Sequence, residues 1–76
     1  MIVEVKARVA RIIDNKIRKR TEFYLIEDCD FFVNAEERVI RYLEQEIELN
    51  LVDSYTIQQL KIAPVNEIYE YNQEEH

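Results

Sequence analysis

Apolar and polar residues alternate with a period of two over residues 2–13: Val3, Val5, Ala7 and Val9 fall on one side, Glu4, Lys6, Arg8 and Ala10 on the other. This is the pattern of a half-buried strand. Residues 17–26 read as a second strand, with Thr21, Phe23 and Leu25 as its expected inner side. A two-residue turn at Asp14-Asn15 would set Val9 opposite Arg20 and Ala7 opposite Glu22, which mixes the faces, because a one-residue slip inverts every side chain. A three-residue loop, Asp14-Asn15-Lys16, instead pairs Ile13 with Ile17, Val9 with Thr21, Ala7 with Phe23 and Val5 with Leu25, and the apolar pattern favours it. That loop needs one left-handed residue, and Asn15 or Lys16 must supply it. In this register Lys6, Arg8, Arg18, Arg20 and Tyr24 share the outer side of the hairpin, with Glu22 opposite Arg8.

The period then lengthens to that of a helix. Asn34 followed by Glu37 matches an N-cap with a carboxylate at the third helical position, and Glu36 and Glu37 suit the positive end of the helix dipole. The helix is expected over residues 35–50, with Ala35, Val39, Ile40, Tyr42, Leu43, Ile47 and Leu51 on one half of its wheel. Glu46 falls inside that apolar arc. It either bends out to solvent near the helix end or pairs with a basic residue of the sheet. Residues 55–62 read as a third strand whose alternation slips at Gln58-Gln59, the mark of a bulge. Pro64 stops regular pairing. Residues 65–71 are expected to form a short edge strand or an arm across a partner subunit, and residues 72–76 a frayed tail.

The expected architecture is α+β: one domain over residues 1–76, β-β-α-β with a short fourth strand, a small antiparallel sheet with one helix packed on one face. A chain of 76 residues buries a thin core. Its single cysteine forms no internal disulfide, and it lacks the Cys and His of a four-ligand zinc site, so self-association through exposed sheet edges is the expected support. The N-terminus has no long apolar run, so neither a signal peptide nor a membrane span is expected, and a cytoplasmic location follows.

Charge changes this picture. The first twenty residues carry a net +5 and the rest −11, within an overall −6. Such asymmetry points to an anionic partner for one end of the chain. The low isoelectric point, about 4.7, argues against duplex nucleic acid, which requires a large basic footprint. Glycine is absent altogether, which removes the Gly-rich loops that cradle phosphates in P-loop and dinucleotide-binding proteins.

Catalysis finds little footing. The only histidine is His76, and Cys29 lies between Asp28 and Asp30, whose charges disfavour a thiolate. The carboxylates Asp28, Asp30, Glu36 and Glu37 lack the spacing of a calcium loop and read as a solvated, helix-capping surface. No enzyme activity, metal or cofactor is expected. Lys6, Arg8, Arg18, Arg20 and Tyr24 are the candidate ligand-binding residues, since cations on a rigid sheet pair with phosphates and a tyrosine stacks on a base. The same cations also serve as edge charges that discourage aggregation.

The segments Val3-Glu4-Val5-Lys6-Ala7-Arg8, Thr21-Glu22-Phe23-Tyr24-Leu25-Ile26-Glu27-Asp28, Asn34-Ala35-Glu36-Glu37 and Lys61-Ile62-Ala63-Pro64-Val65-Asn66-Glu67-Ile68 resemble, in order, a phage-associated family of unknown function. The chain departs from that family in lacking a hairpin glycine and in stopping soon after the last motif. The resemblance supplies no catalytic residues. It implies a small phage-type protein acting in the cytoplasm of a bacterial host.

The resulting expectation is a homo-oligomeric, non-enzymatic protein that binds or sequesters an anionic ligand such as a nucleotide signal of host defence. The alternatives are an inhibitor that presents an acidic helix face, with Glu37, Glu44 and Glu48, to a host protein, and a single-stranded nucleic-acid binder that uses the basic hairpin.

Overall fold

A computed structural model describes residues 1–63. The expected fourth strand at 65–71 and the frayed residues 72–76 lie outside the described residues. Three strands, β1 (Val3–Ile13), β2 (Lys16–Ile26) and β3 (Val52–Ile62), form an open antiparallel sheet in the order β2-β1-β3, and one helix, α1 (Phe32–Glu48), lies across one face. The fold is the expected small α+β architecture. β2 and β3 are parallel to one another, so the chain between them must cross over the central strand, and α1 makes that crossing.

β1 carries the core because its alternation is clean: Val3, Val5, Ala7 and Val9 are fully buried beneath Ala35, Val39 and Leu43 of the helix. β3 adds Val52, with Tyr55, Ile57 and Leu60 packed around it. These four can face the helix together only because the strand breaks its own alternation. Gln58 is an extra residue between Ile57, opposite Ala7, and Gln59, opposite Lys6, which places the bulge where the slipped pattern predicts it. A second bulge, at Asp53, was not legible from the pattern.

The hairpin register differs from the expectation. Asp14 and Asn15 form a two-residue turn with φ of 52° and 64°, the left-handed pair of a type I′ turn, and Ile13 pairs with Lys16. Val9 therefore faces Arg20, Ala7 faces Glu22 and Val5 faces Tyr24. Asp and Asn are the L-residues that enter this conformation most readily, so the tight turn forms without glycine. Asp28 and Asn50 fill the other left-handed positions, with φ of 56° and 59°. Asn50 closes the helix: its N–H donates to the Ile47 carbonyl at 3.0 Å and that of Leu51 to the Glu46 carbonyl at 2.9 Å, a Schellman ending.

The helix also starts earlier than Asn34 suggests. Phe31 is the extended cap residue, and the Asn34 side-chain oxygen reaches back to accept the Phe31 N–H at 2.9 Å. Asn34 thus sits at the third helical position rather than at the cap, and Glu36 and Glu37 lie beyond the first turn.

Candidate functional site

α1 packs mainly on β3 and β1 and touches β2 lightly. The two faces of the sheet are consequently unlike, and the register decides which side chains reach each.

On the helix side, Arg11 of β1 stands opposite Arg18 of β2. Its guanidinium grips Glu22 with two bonds, Nε to Oε2 at 2.5 Å and Nη2 to Oε1 at 2.8 Å, and reaches Glu46 of the helix through Nη1 at 3.3 Å. Arg20 Nε donates to Glu22 at 2.8 Å, the Tyr24 hydroxyl donates to Glu22, and the Tyr42 hydroxyl donates to Glu46 at 2.7 Å. Glu46 therefore pairs with the sheet, the second of its two expected roles. Arg11 and Glu22 are each only 13% exposed. Hydrogen bonding from Arg11, with further bonds from Tyr24 and Arg20, outweighs burial and pulls the Glu22 carboxyl down to about 2. The bond to Glu22 raises Arg11, while burial and then the same carboxylate raise Tyr24. Glu22, held ionised by Arg11, has no proton to exchange near neutrality, and the same guanidinium reaches Glu46 of the helix, so this cluster is a clasp between sheet and helix. Beside it, a groove of about 380 Å³ opens between β2 and α1, lined by Tyr24, Ile26, Val39 and Tyr42 with Arg38 at its rim. Tyr24 and Tyr42 meet edge to face at 5.9 Å.

The opposite face carries no covering element among the described residues. Cross-strand rows read Leu25, Glu4, Lys61; then Phe23, Lys6, Gln59; then Thr21, Arg8, Thr56; then Lys19, Ala10, Ser54; with Ile17 beside Ile12 at the turn. Phe23 is 60% exposed and Leu25 and Ile17 are 56% exposed. Lys61 sits 3.6 Å from Glu4, and Arg8 Nη1 donates to the Thr21 hydroxyl at 3.2 Å. Ala10 ends at its Cβ, so the surface dips there into a hollow of about 130 Å³, with Arg8 and Lys19 beside the hydroxyls of Ser54 and Thr56.

The five candidate ligand-binding residues are thereby divided. Lys6 and Arg8 lie on the open face, whereas Arg18, Arg20 and Tyr24 lie on the helix side, and Tyr24 and Arg20 are tied to Glu22. The open face instead gains Phe23, Lys19 and Lys61. Phe23 was assigned to the core by the three-residue loop. The signal that would have placed it correctly is the Asp-Asn pair, two residues suited to consecutive left-handed positions.

The remaining chemistry is sparse. Cys29 is buried, its thiol directed at the carbonyls of Ile26 and Glu27. A cleft of about 240 Å³ at the start of α1 mixes Asp28, Asp30 and Glu37 with Arg38 and Arg41. Among the described residues no three Cys, His, Asp or Glu side chains are placed to hold a metal ion, and no helix is long and apolar enough to cross a membrane. No family model, curated protein or solved structure matches the chain.

Proposed function

We propose that the protein is a non-enzymatic binding protein whose open sheet face takes a base-bearing anion, and that its ligand is a short single strand of nucleic acid. The observation that carries this reading is Phe23, a ring left 60% exposed on the open face of the edge strand, with Lys6 directly opposite it, Arg8 in the next row and Lys19 further along the same strand. A base stacks on the exposed ring and phosphates meet the cations, the Ala10 hollow with its two hydroxyls receiving one of them.

Charge separation supports the same reading. Among the described residues the strand rows of this face hold four cations, Lys6, Arg8, Lys19 and Lys61, against one carboxylate, Glu4. The exposed acids Glu37, Glu44 and Glu48 lie on the helix, behind the sheet. An overall charge of −6 therefore does not oppose binding at this surface. Shape favours a strand over a free nucleotide signal. Enclosing pockets for small ligands measure roughly 300–1,000 Å³. The open face offers a hollow of about 130 Å³ and a flat platform, where affinity must come from several nucleotides.

Fluorescence anisotropy with a labelled ten-nucleotide oligothymidylate tests this, with a duplex and a cyclic dinucleotide as comparison ligands. The oligothymidylate should bind most tightly, and Phe23→Ala should weaken it about tenfold, within the range of one lost stacking contact. Arg8→Glu should abolish binding. Affinity should fall with salt, the logarithmic slope being about −2 to −3 for three or four phosphates neutralised. Unchanged affinity in both variants would refute the assignment, and preference for the cyclic dinucleotide would return the site to a nucleotide signal.

A further inference from the structure

Among the described residues β2 is an eleven-residue edge strand, and the hairpin fixes which of its groups face that edge. In a hairpin closed by a two-residue turn, the pair flanking the turn exchanges hydrogen bonds and the pairs alternate from there. Lys16 flanks the turn, so the N–H and C=O groups of Ile17, Lys19, Thr21, Phe23 and Leu25 point away from β1 to the free edge. The strand is also lopsided. Its first half holds Lys16, Arg18, Lys19 and Arg20, while its second half is aromatic and aliphatic apart from Glu22.

We propose that this edge is occupied by β2 of a second copy of the chain, antiparallel across a twofold axis at Thr21. Charge complementarity selects the register. The odd-numbered residues carry the free groups, so they must pair with one another. Centring on Lys19, Arg20 or Glu22 sets like charges face to face, and centring on Phe23 leaves Glu22 opposite Tyr24. Centring on Thr21 sets Arg20 opposite the partner subunit's Glu22, Arg18 opposite the partner's Tyr24, Lys19 opposite the partner's Phe23, Ile17 opposite the partner's Leu25 and Lys16 opposite the partner's Ile26. Each basic residue meets a carboxylate, an aromatic ring or an aliphatic side chain, the last accommodating a lysine stem. The contact is isologous and closes at two copies.

The dimer extends the binding surface. Rows from the two subunits join into one six-stranded face, and the partner's Lys19 stands beside Phe23, the ring on which the functional reading rests. The assembly is measured by mass, without ligand, so its failure is distinguishable from failure of that reading.

Sedimentation velocity of the full chain should give twice 9.3 kDa. Thr21→Pro removes an edge N–H that β1 does not use, so it should yield a monomer with unchanged far-ultraviolet circular dichroism. Thr21→Cys should cross-link to its counterpart on mild oxidation, since a hydrogen-bonded antiparallel pair places Cα atoms about 5.5 Å apart, within disulfide reach. Lys19→Cys should not, its counterpart being about 14 Å away along the strand. A monomeric wild type would overturn the proposal. So would a dimer unaffected by Thr21→Pro, or Lys19→Cys cross-linking as readily as Thr21→Cys.

Discussion

The two faces of β2 invert the usual arrangement, and β1 beside it does not. β1 turns its valines and, near the hairpin, Arg11 to the helix and its other charges to the open face, whereas β2 turns Arg18, Arg20, Glu22 and Tyr24 toward the helix side and leaves Ile17, Phe23 and Leu25 exposed. The difference teaches that a strand's apolar residues choose the covered face only where something covers it. α1 sits over β1 and β3, so the helix side of β2 gains little from apolar residues, and the turn is free to set the register. Of the polar residues placed there, Glu22, Arg20 and Tyr24 join the cluster that Arg11 ties to Glu46 of the helix, while the apolar ones stand on the uncovered face. Exposed apolar groups clustered on one face commonly mark an interaction surface.

Substitutions on the two faces should separate widely. Leu43→Ala, beneath the helix, is expected to cost about 3 kcal/mol of stability in urea denaturation, the usual range for a buried leucine. Phe23→Ala should change stability by less than about 0.5 kcal/mol while losing ligand affinity. A large stability loss from Phe23→Ala would place the ring in a core and break the comparison.

The clasp comes next in size. Arg11→Met strips Glu22 and Glu46 of their shared partner and should cost about 2 kcal/mol. Glu22 titrates at about 2 in the fold against an ordinary 4.5, so the stability it adds is complete above about pH 4.5 and is lost as the pH falls toward 2. Acid denaturation curves should show that loss in the wild type and a flatter limb in Arg11→Met. Equal slopes would mean that Arg11 does not hold the carboxylate.

The turn should give the smallest effect. Asn15→Gly relieves the left-handed strain of an L-residue and should stabilise by roughly 0.5 kcal/mol, net of glycine's greater entropy loss. Asn15→Ile should destabilise by about 1–2 kcal/mol. Thermal denaturation of both checks the two-residue turn, and no cost from isoleucine would argue for a different loop.

Much of this fold can be read from the residues themselves. β1, the body of α1, β3 from Tyr55 onward and the Gln58 bulge follow from periodicity, whereas the start of β3 at buried Val52, ahead of the Asp53 bulge, and the helix start at Phe32 do not. The face of β2 does not, since its more apolar side, with Ile17, Phe23 and Leu25, is the one left uncovered and the decision rests on two consecutive left-handed residues, Asp14 and Asn15. Asn34 misleads for a similarly local reason: its side chain caps backward to Phe31 instead of forward into the helix. Lys6 and Arg8 of the candidate site survive the change of register because they lie on β1. Arg18, Arg20 and Tyr24 do not, because a one-residue slip moves all three to the other side.

The most direct test is a nuclear magnetic resonance titration of the isotope-labelled full chain with the ten-nucleotide oligothymidylate, following backbone and aromatic shifts. The largest changes should fall on Lys6, Arg8, Lys19 and Phe23, with Arg18, Arg20 and Tyr24 moving little. Changes concentrated on Arg18, Arg20 and Tyr24 would contradict the open face as the binding surface, as would a titration that moves neither set.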